Sequence, residues 1–438
     1  MNFVPAEGGI KKLVMNILYI TQYFPPDKGA AQMRAWEMVK NLTTLGHEVT
    51  VVTEFPNHPL GIIPRRYKFK FFEREIYHGV EVIRSYVKAS PKKIFLSRIM
   101  FYFSFMITST FAGIKLKRKY DLVYATSSPL SVGLSGYMVS RIKGIRFVFE
   151  VRDLWPDAAV ELGELKNRFF IRIASFIEQL YYRKCAKVIV VTKGCYQHVI
   201  KKGVDARKIE IVYNGANIET FKPSKDGSEL KNKYGYGDKF IVLYAGNFGL
   251  VHGMNSLVEV VKLLRQEKDI RFIFIGEGPM KKEVLRSREN YKLVNLQVLN
   301  DIPVERIIDY FNLADVCLVS AKKSKLSQVL LPVKMFDAWS CGKPIILSVD
   351  GEAREHLIRA KAGIWVEPEN PEQIVNAIRH LLVNPDLCRE FGENGRKYVE
   401  KHFSRKVQAE RLEIILRDML YHTVDLHGSK PRLIEKIK

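Results

Sequence analysis

The sequence predicts an α/β protein of two domains, each built on a parallel sheet. Three observations carry this expectation. Short apolar runs alternate with amphipathic stretches over most of the chain, which is the pattern of βαβ units. The runs fall into two series with a polar stretch between them. At roughly 150 residues per domain, a length of 438 residues suits two large domains or three ordinary ones.

Taken in order, the first series is Asn16 to Ile20, Glu48 to Thr53, Leu122 to Ala125, Arg146 to Val151, Lys187 to Thr192 and Lys208 to Val212. The second is Phe240 to Ala245, Ile270 to Ile275, Val316 to Ser320 and Pro344 to Ser348. Between them, Glu219 to Lys239 holds Pro223, Gly227, Gly235 and Gly237 and reads as a linker. Residues 1–220 are thus expected to form one domain and 221–401 the other. A last helical pattern runs from Val407 to Leu420, followed by a weakly patterned basic tail.

Composition excludes several classes. With 47% hydrophobic and 27% charged residues, the chain is neither globally disordered nor fibrous. Its five cysteines are odd in number, widely spaced and without a CxxC pair, which argues against a disulfide framework or a zinc site and for a reducing cytoplasm. The stretch Lys11 to Ile20 superficially resembles a signal peptide, but its apolar run is short and no small-residue cleavage site follows, so it reads as the first strand.

The net charge is +23, and it is unevenly placed. Residues 61–120 hold 14 basic and 3 acidic side chains, so +11 lies in that span. Such a field attracts polyanions: nucleic acid, an anionic membrane or a phosphorylated substrate. Within the span, residues 99–114 carry no charge, but they fall short of the ~20 residues that cross a bilayer. They are expected to form a core helix or an interfacial one, in which Phe101, Tyr102, Phe103 and Phe105 enter lipid while Lys115, Lys117, Arg118 and Lys119 meet anionic head groups.

Three segments have the residue types for ligand chemistry. Phe24 to Ala31 is a small-residue loop, including Gly29, that leads into a helix and so offers backbone N–H groups to an anion, though it is not GxGxxG. Tyr244 to Gly253 repeats the arrangement, with Gly246, Asn247, Gly249 and His252, and Phe274 to Pro279 ends a further strand on Gly276 and Gly278. Two such loops in one domain point to a crevice at the carboxyl edge of a sheet. The third segment, Leu331 to Ile346, opens a helix on Pro332 and sets Lys334 and Asp337 on one face; a surface ion pair is the plain alternative. A cation and a carboxylate side by side suit a phosphorylated sugar.

These segments resemble the family-4 glycosyltransferases, retaining nucleotide-sugar enzymes of the GT-B fold, and especially the bacterial branch that builds capsule and O-antigen chains. The resemblance covers residues 15–420 and rests on Gln22 to Pro26, Arg152-Asp153-Leu154-Trp155-Pro156-Asp157, Val212 to Asn217, Tyr244 to Gly249, Gly276 to Pro279 and Pro332 to Pro344. It implies two Rossmann-like domains facing across a cleft, with donor binding in the second. A C-terminal helix would cross back, so that 402–438 pack on the first domain.

In the family a carboxylate at the position of Asp337 holds the donor ribose; here Asp replaces the usual Glu. The family's other acid, eight residues earlier, falls at Val329. Where the family places Arg and Lys to clamp the diphosphate, this chain has Asn247 and His252, so Lys334, His252 and the backbone at Gly249 are the expected substitutes. Near the end of the fourth strand, Asp153 is the candidate to accept the acceptor's proton and Arg152 to contact an acceptor phosphate; a structural Arg-Asp pair is the alternative.

The expected protein is therefore a retaining hexosyl or N-acetylaminosugar transferase that needs no metal or cofactor. Its substrates would be an NDP-sugar, UDP-linked, and a hydroxyl of a polyprenyl-diphosphate-linked saccharide. It would work in the cytoplasm, peripheral on the inner face of the cell membrane, held to anionic lipid through the basic residues of 61–120. Two rivals remain. A nucleotide-sugar epimerase of the same fold would need no acceptor, and a nucleic-acid-binding protein would explain the charge but lacks any RNP-like, helix-turn-helix or zinc motif.

Overall fold

The computed structural model describes residues 3–4 and 12–421 apart from positions 28, 59, 93, 162, 164 and 225. The basic tail beyond Tyr421 lies outside the described residues. The chain forms two compact units, one of residues 1–191, 195–212 and 408–438, the other of 192–194 and 213–407.

In the N-terminal unit the order is β1 (Asn16–Ile20), α1 (Ala30–Thr44), β2 (Glu48–Glu54), β3 (Phe72–Tyr77), β4 (Val80–Ser85), α2 (Phe95–Lys115) and β5 (Leu122–Thr126). There follow α3 (Ser131–Lys143), β6 (Arg146–Val151), α4 (Asp157–Glu161), α5 (Arg168–Lys184), β7 (Lys187–Val190), α6 (Lys193–Lys201) and β8 (Ile209–Ile211). The eight strands lie in the order β8-β7-β6-β5-β1-β2-β4-β3. Among the described residues every pairing in this sheet is parallel except β3 with β4, a hairpin at the edge that begins at Phe72 opposite Ser85. Strand β1 is apolar on both faces because both faces are covered by helices. The chain winds away from β1 in both directions, so the carboxyl ends of β1 and β5 form a switch point where an open sheet takes its ligand.

The C-terminal unit comprises α7 (Asp226–Lys233), β9 (Phe240–Ala245), α8 (Met254–Leu263), β10 (Ile270–Ile275), α9 (Lys281–Asn290), β11 (Leu296–Leu299), α10 (Val304–Leu313) and β12 (Val316–Ser320). It continues through α11 (Lys325–Gln328), α12 (Val333–Ser340), β13 (Ile345–Ser348), α13 (Glu352–Ala360), β14 (Gly363–Trp365), α14 (Pro371–Leu382) and α15 (Pro385–His402). Its parallel sheet has the order β11-β10-β9-β12-β13-β14, with the switch point between β9 and β12. One side of the sheet packs on Trp339, fully buried, whose indole N–H donates to the Ala362 carbonyl at 2.9 Å. The last helix, α16 (Arg405–Tyr421), belongs mostly to the N-terminal unit, where Ala409, Leu412 and Leu416 join Met15, Ile17 and Val39 in one core.

Two expectations need correction. The polar stretch from Glu219 to Lys239 is not a linker: it contains α7, Gly227 lies against the backbone of Asn312, and Tyr234 shares a 2.7 Å hydroxyl contact with Tyr310. Glu229, Asn232 and Lys233 lie on the exposed face of this packed helix. Helix α2 is longer than the uncharged run and serves two environments. Phe105, Ser109 and Ala112 are buried, and Ser109 meets Ser135 of α3 at 2.9 Å, while Phe103, Ile107 and Phe111 are exposed. Phe105 therefore belongs to the core and is not available to lipid. No helix among the described residues is long and apolar enough to cross a membrane.

This division of α2 predicts different costs for two neighbouring phenylalanines. Phe105→Ala should lower stability by about 3–5 kcal/mol and Phe103→Ala by less than about 0.5 kcal/mol. Denaturant unfolding of the full chain measures both, and equal losses would contradict the assigned faces.

Candidate functional site

In the C-terminal unit the site is built from the loops that leave β9 and β10 and from the start of α12. The two loops are knitted together: Phe248 N–H donates to the Glu277 carbonyl at 2.8 Å, and Met280 N–H to the Phe248 carbonyl at 2.9 Å. Approach is so close that a Cβ on Gly276 would stand 2.0 Å from the Gly246 carbonyl oxygen. Gly246, at φ 145°, leaves the room that Lys334 occupies, since a Cβ there would lie 2.8 Å from Nζ. Gly278 lies beside Asn247 and Phe248, and Asn247 itself is exposed at the loop's tip.

Lys334 is the centre of this arrangement. Its Nζ is buried, has no hydrogen-bond partner and sits 4.0 Å from the ring centroid of Tyr244. Burial lowers its pKa to about 7, with Asp337 pulling the other way. Burial raises the Asp337 carboxyl to about 7, opposed first by Arg405 and then by Lys334. Lys334 and Asp337 do lie together, but not as a surface ion pair. Tyr244 holds the loop from below, its hydroxyl donating to the Asn247 carbonyl at 2.7 Å.

His252 and Gly249 complete the turn. The His252 N–H donates to the Gly249 carbonyl at 3.1 Å, and the His252 carbonyl accepts from Ser320 Oγ at 2.7 Å. Its Nδ1 is buried without a partner. Burial first, then Lys334, lowers its pKa to about 4, so at neutral pH it offers a hydrogen bond rather than a charge. The expected diphosphate clamp thus reduces to one amine, one neutral imidazole and backbone N–H groups. Val329, where the resemblance puts a second acid, packs against Gly194.

The N-terminal unit carries the other candidates. Gly29 is the N-cap of α1, and a Cβ there would meet the Gln32 side chain at 2.5 Å. One turn on, Arg34 forms a buried pair with Glu150 through Nε and Nη2, and Nη2 also donates to the Val212 carbonyl at 3.2 Å. Glu150 also accepts from Thr126 Oγ1 at 2.5 Å. Burial pushes Glu150 up, but Arg34 and Arg152 outweigh it and hold the carboxyl below its ordinary range. Arg152 is pushed down by burial and then by Arg34, and its Nε is buried without a partner. Asp153 is exposed and accepts from Ser128 Oγ, and it acts on Arg152 through charge.

Sequence reasoning missed Tyr244 as a partner of Lys334, Arg405 as a neighbour of Asp337, and the Arg34–Glu150 pair. Tyr244 stood inside a motif already singled out. Arg34 and Glu150 are 116 residues apart, and Arg405 follows Asp337 by most of a subdomain, so no local pattern joined them.

Residues 29–215 match the Glycosyl transferase 4-like domain, and residues 227–398 match Glycosyl transferases group 1. The chain is 26% identical to the putative colanic acid biosynthesis glycosyl transferase WcaI of Escherichia coli K12, over 86% of this chain and 95% of that protein. It is 23% identical to the probable glycosyltransferase WbjE of Pseudomonas aeruginosa, over 73% and 78%. Among solved structures, sucrose-phosphate synthase from Thermosynechococcus elongatus superposes with a TM-score of 0.70 at 20% identity, covering 92% of this chain and 99% of that one. Anabaena HepE in complex with UDP-glucose gives 0.69 at 16%, covering 92% and 100%. The fold they share with this chain is GT-B.

A buried amine that lacks a partner is a strong anchor for an anion. Lys334→Ala should weaken binding of a nucleoside diphosphate by about 10–100-fold, the loss of one charge-assisted hydrogen bond. In the free protein Lys334 is charged below about pH 7 and neutral above it. A bound phosphate favours the charged form, so affinity should fall by up to about tenfold per unit as pH rises from about 7 to about 9. Calorimetric titration across that range tests both; an affinity independent of pH in the native chain would contradict the assignment.

Proposed function

We propose that this chain, a glycosyltransferase of the GT-B type, is a retaining enzyme that moves a hexosyl or N-acetylaminosugar unit from a UDP-linked donor to a lipid-linked saccharide. The acceptor group is a hydroxyl of a polyprenyl-diphosphate-linked chain in surface polysaccharide synthesis. The observation that carries the donor side is the unpartnered, buried Lys334 Nζ under the Gly246 loop. HepE, solved with UDP-glucose, supports a uridine nucleotide, and the name of WcaI supports a polysaccharide product.

In this reading the bond between the sugar's anomeric carbon and the diphosphate oxygen breaks. The charge that develops on the leaving oxygen is met by Lys334, by the His252 imidazole and by backbone N–H groups near Gly249. The acceptor hydroxyl attacks from the face the diphosphate leaves, which preserves the anomeric configuration. Its proton passes to Asp153 or to the departing phosphate, and Arg152 holds the acceptor's own phosphate. Asp337 binds the ribose hydroxyls, as a carboxylate above about pH 7 and as a carboxylic acid below it. On this reading the diphosphate is met by the Lys334 ammonium and by hydrogen bonds from His252 and backbone N–H groups, with no metal or other cofactor required. Work at the inner face of the cell membrane, with the basic residues of 61–120 toward anionic lipid, follows from the acceptor's anchor.

Purified protein incubated with a lipid-linked acceptor and a panel of NDP-sugars should release nucleotide with one UDP-sugar only when acceptor is present, and chelation by EDTA should leave the rate unchanged. Release with none of the donors would overturn the transferase reading. Isomerisation of the sugar without acceptor would favour an epimerase. Arg152→Ala should lower kcat/KM for the acceptor by about 10–100-fold while leaving UDP affinity as it was; an equal loss in both would place Arg152 on the donor.

A further inference from the structure

Helices α2, α3 and α5 lie side by side: Ser109 and Gly113 of α2 meet Ser135 and Val139 of α3, and Gly133 of α3 meets Tyr181 of α5. Each turns an apolar stripe outward. On α2 it is Phe103, Ile107 and Phe111, four residues apart; on α3 it is Met138 and Ile142; on α5 it is Phe169, Ile173 and Phe176. These are not residual edges of core side chains, since Phe111 is 56% exposed, Ile142 57% and Phe176 70%. Soluble proteins rarely leave apolar stripes on three adjacent helices without a partner.

Charge identifies the partner. The three helices carry eight Lys and Arg residues and a single acid, Glu178. Glu178 is buried and already held by the Tyr182 hydroxyl and Lys202. Arg141 lies beside Ile142, and Arg168 and Arg172 flank Phe169 and Ile173; all three are exposed. An apolar face flanked by exposed cations matches the interfacial layer of an anionic bilayer, where rings enter below the head groups and guanidinium groups stay at the phosphates.

We infer that the outward face of α2, α3 and α5 is a membrane-docking surface that inserts its aromatic side chains into anionic lipid. This rests on the proposed lipid-linked acceptor for its purpose, but it moves the contact from the cations of 61–120 alone to a three-helix face that includes α5. Docking there brings the N-terminal unit to the surface where a lipid-anchored acceptor is held.

The test is cosedimentation of the full chain with phosphatidylcholine vesicles carrying about one-third phosphatidylglycerol, against phosphatidylcholine alone. The native chain should bind the anionic vesicles. Phe103→Ser with Phe111→Ser, and separately Phe169→Ser with Phe176→Ser, should each weaken binding by roughly tenfold or more. Arg168→Gln with Arg172→Gln should also weaken it, and the remaining binding should be less sensitive to salt. All three variants should transfer sugar to a short-chain, water-soluble acceptor at the native rate, so a failure of docking is read apart from a failure of the transferase reading. Native affinity in both double-serine variants would overturn the surface, as would a native chain that ignores anionic vesicles. A native dimer that either serine pair converts to monomer would assign the face to a second copy instead.

Discussion

Burying an ammonium group without an anion beside it is unfavourable, and in the free protein Lys334 carries that penalty. The surrounding residues make sense as means of tolerating it. Gly246 gives the side chain its space, Tyr244 lends a ring face in place of a counter-ion, and His252 stays neutral so that no second charge is added. Asp337 is close enough to feel the amine, whose Nζ has no hydrogen-bond partner among the described residues. The site is thus preorganised for a ligand that brings negative charge, and the cost of desolvation is met in the fold before the ligand arrives.

The N-terminal unit applies the same constraint with different groups. Arg34 and Arg152 both act on one buried carboxylate, Glu150, at the carboxyl ends of β5 and β6, and Asp153 acts on Arg152 as well. Arg34 spends its hydrogen bonds on Glu150 and Val212, so it supports Arg152 rather than competing for a ligand. Asp153, exposed and held by Ser128, is free of both arginines in its hydrogen bonding. Lys334 stands beside the switch point of its sheet, and Arg152 follows β6, the strand next to the switch point at β1 and β5.

Much of this was legible in the sequence because parallel strands buried on both faces write themselves as continuous apolar runs. Ile17-Leu18-Tyr19-Ile20 and Phe272-Ile273-Phe274-Ile275 are such runs, and each is a strand. Strands β3, β4, β11 and β14 were not seen. The β3–β4 hairpin has Glu73, Arg74, Glu75 and Glu81 among its apolar residues, and β14 has three residues, one of them Gly363. The stretch around α7 reads as a linker because its glycines and lysines hide the few apolar contacts, Leu230 and Tyr234, that dock it. For the site, Lys334, Asp337 and the glycines were readable from spacing. The protonation states were not, since they depend on burial that only the packed chain creates. The faces of α2 were likewise hidden: Phe103 and Phe105 are equivalent in composition, and only the packed chain separates them.

The most direct measurement is the number of protons taken up when UDP binds at about pH 8, obtained by calorimetry in buffers of different ionisation enthalpy. With Lys334 neutral in the free protein at that pH and charged against a diphosphate, uptake should approach one proton and vanish in Lys334→Met. Binding of UDP with no proton uptake in the native chain would contradict a neutral, unpartnered Lys334 as the group that receives the diphosphate.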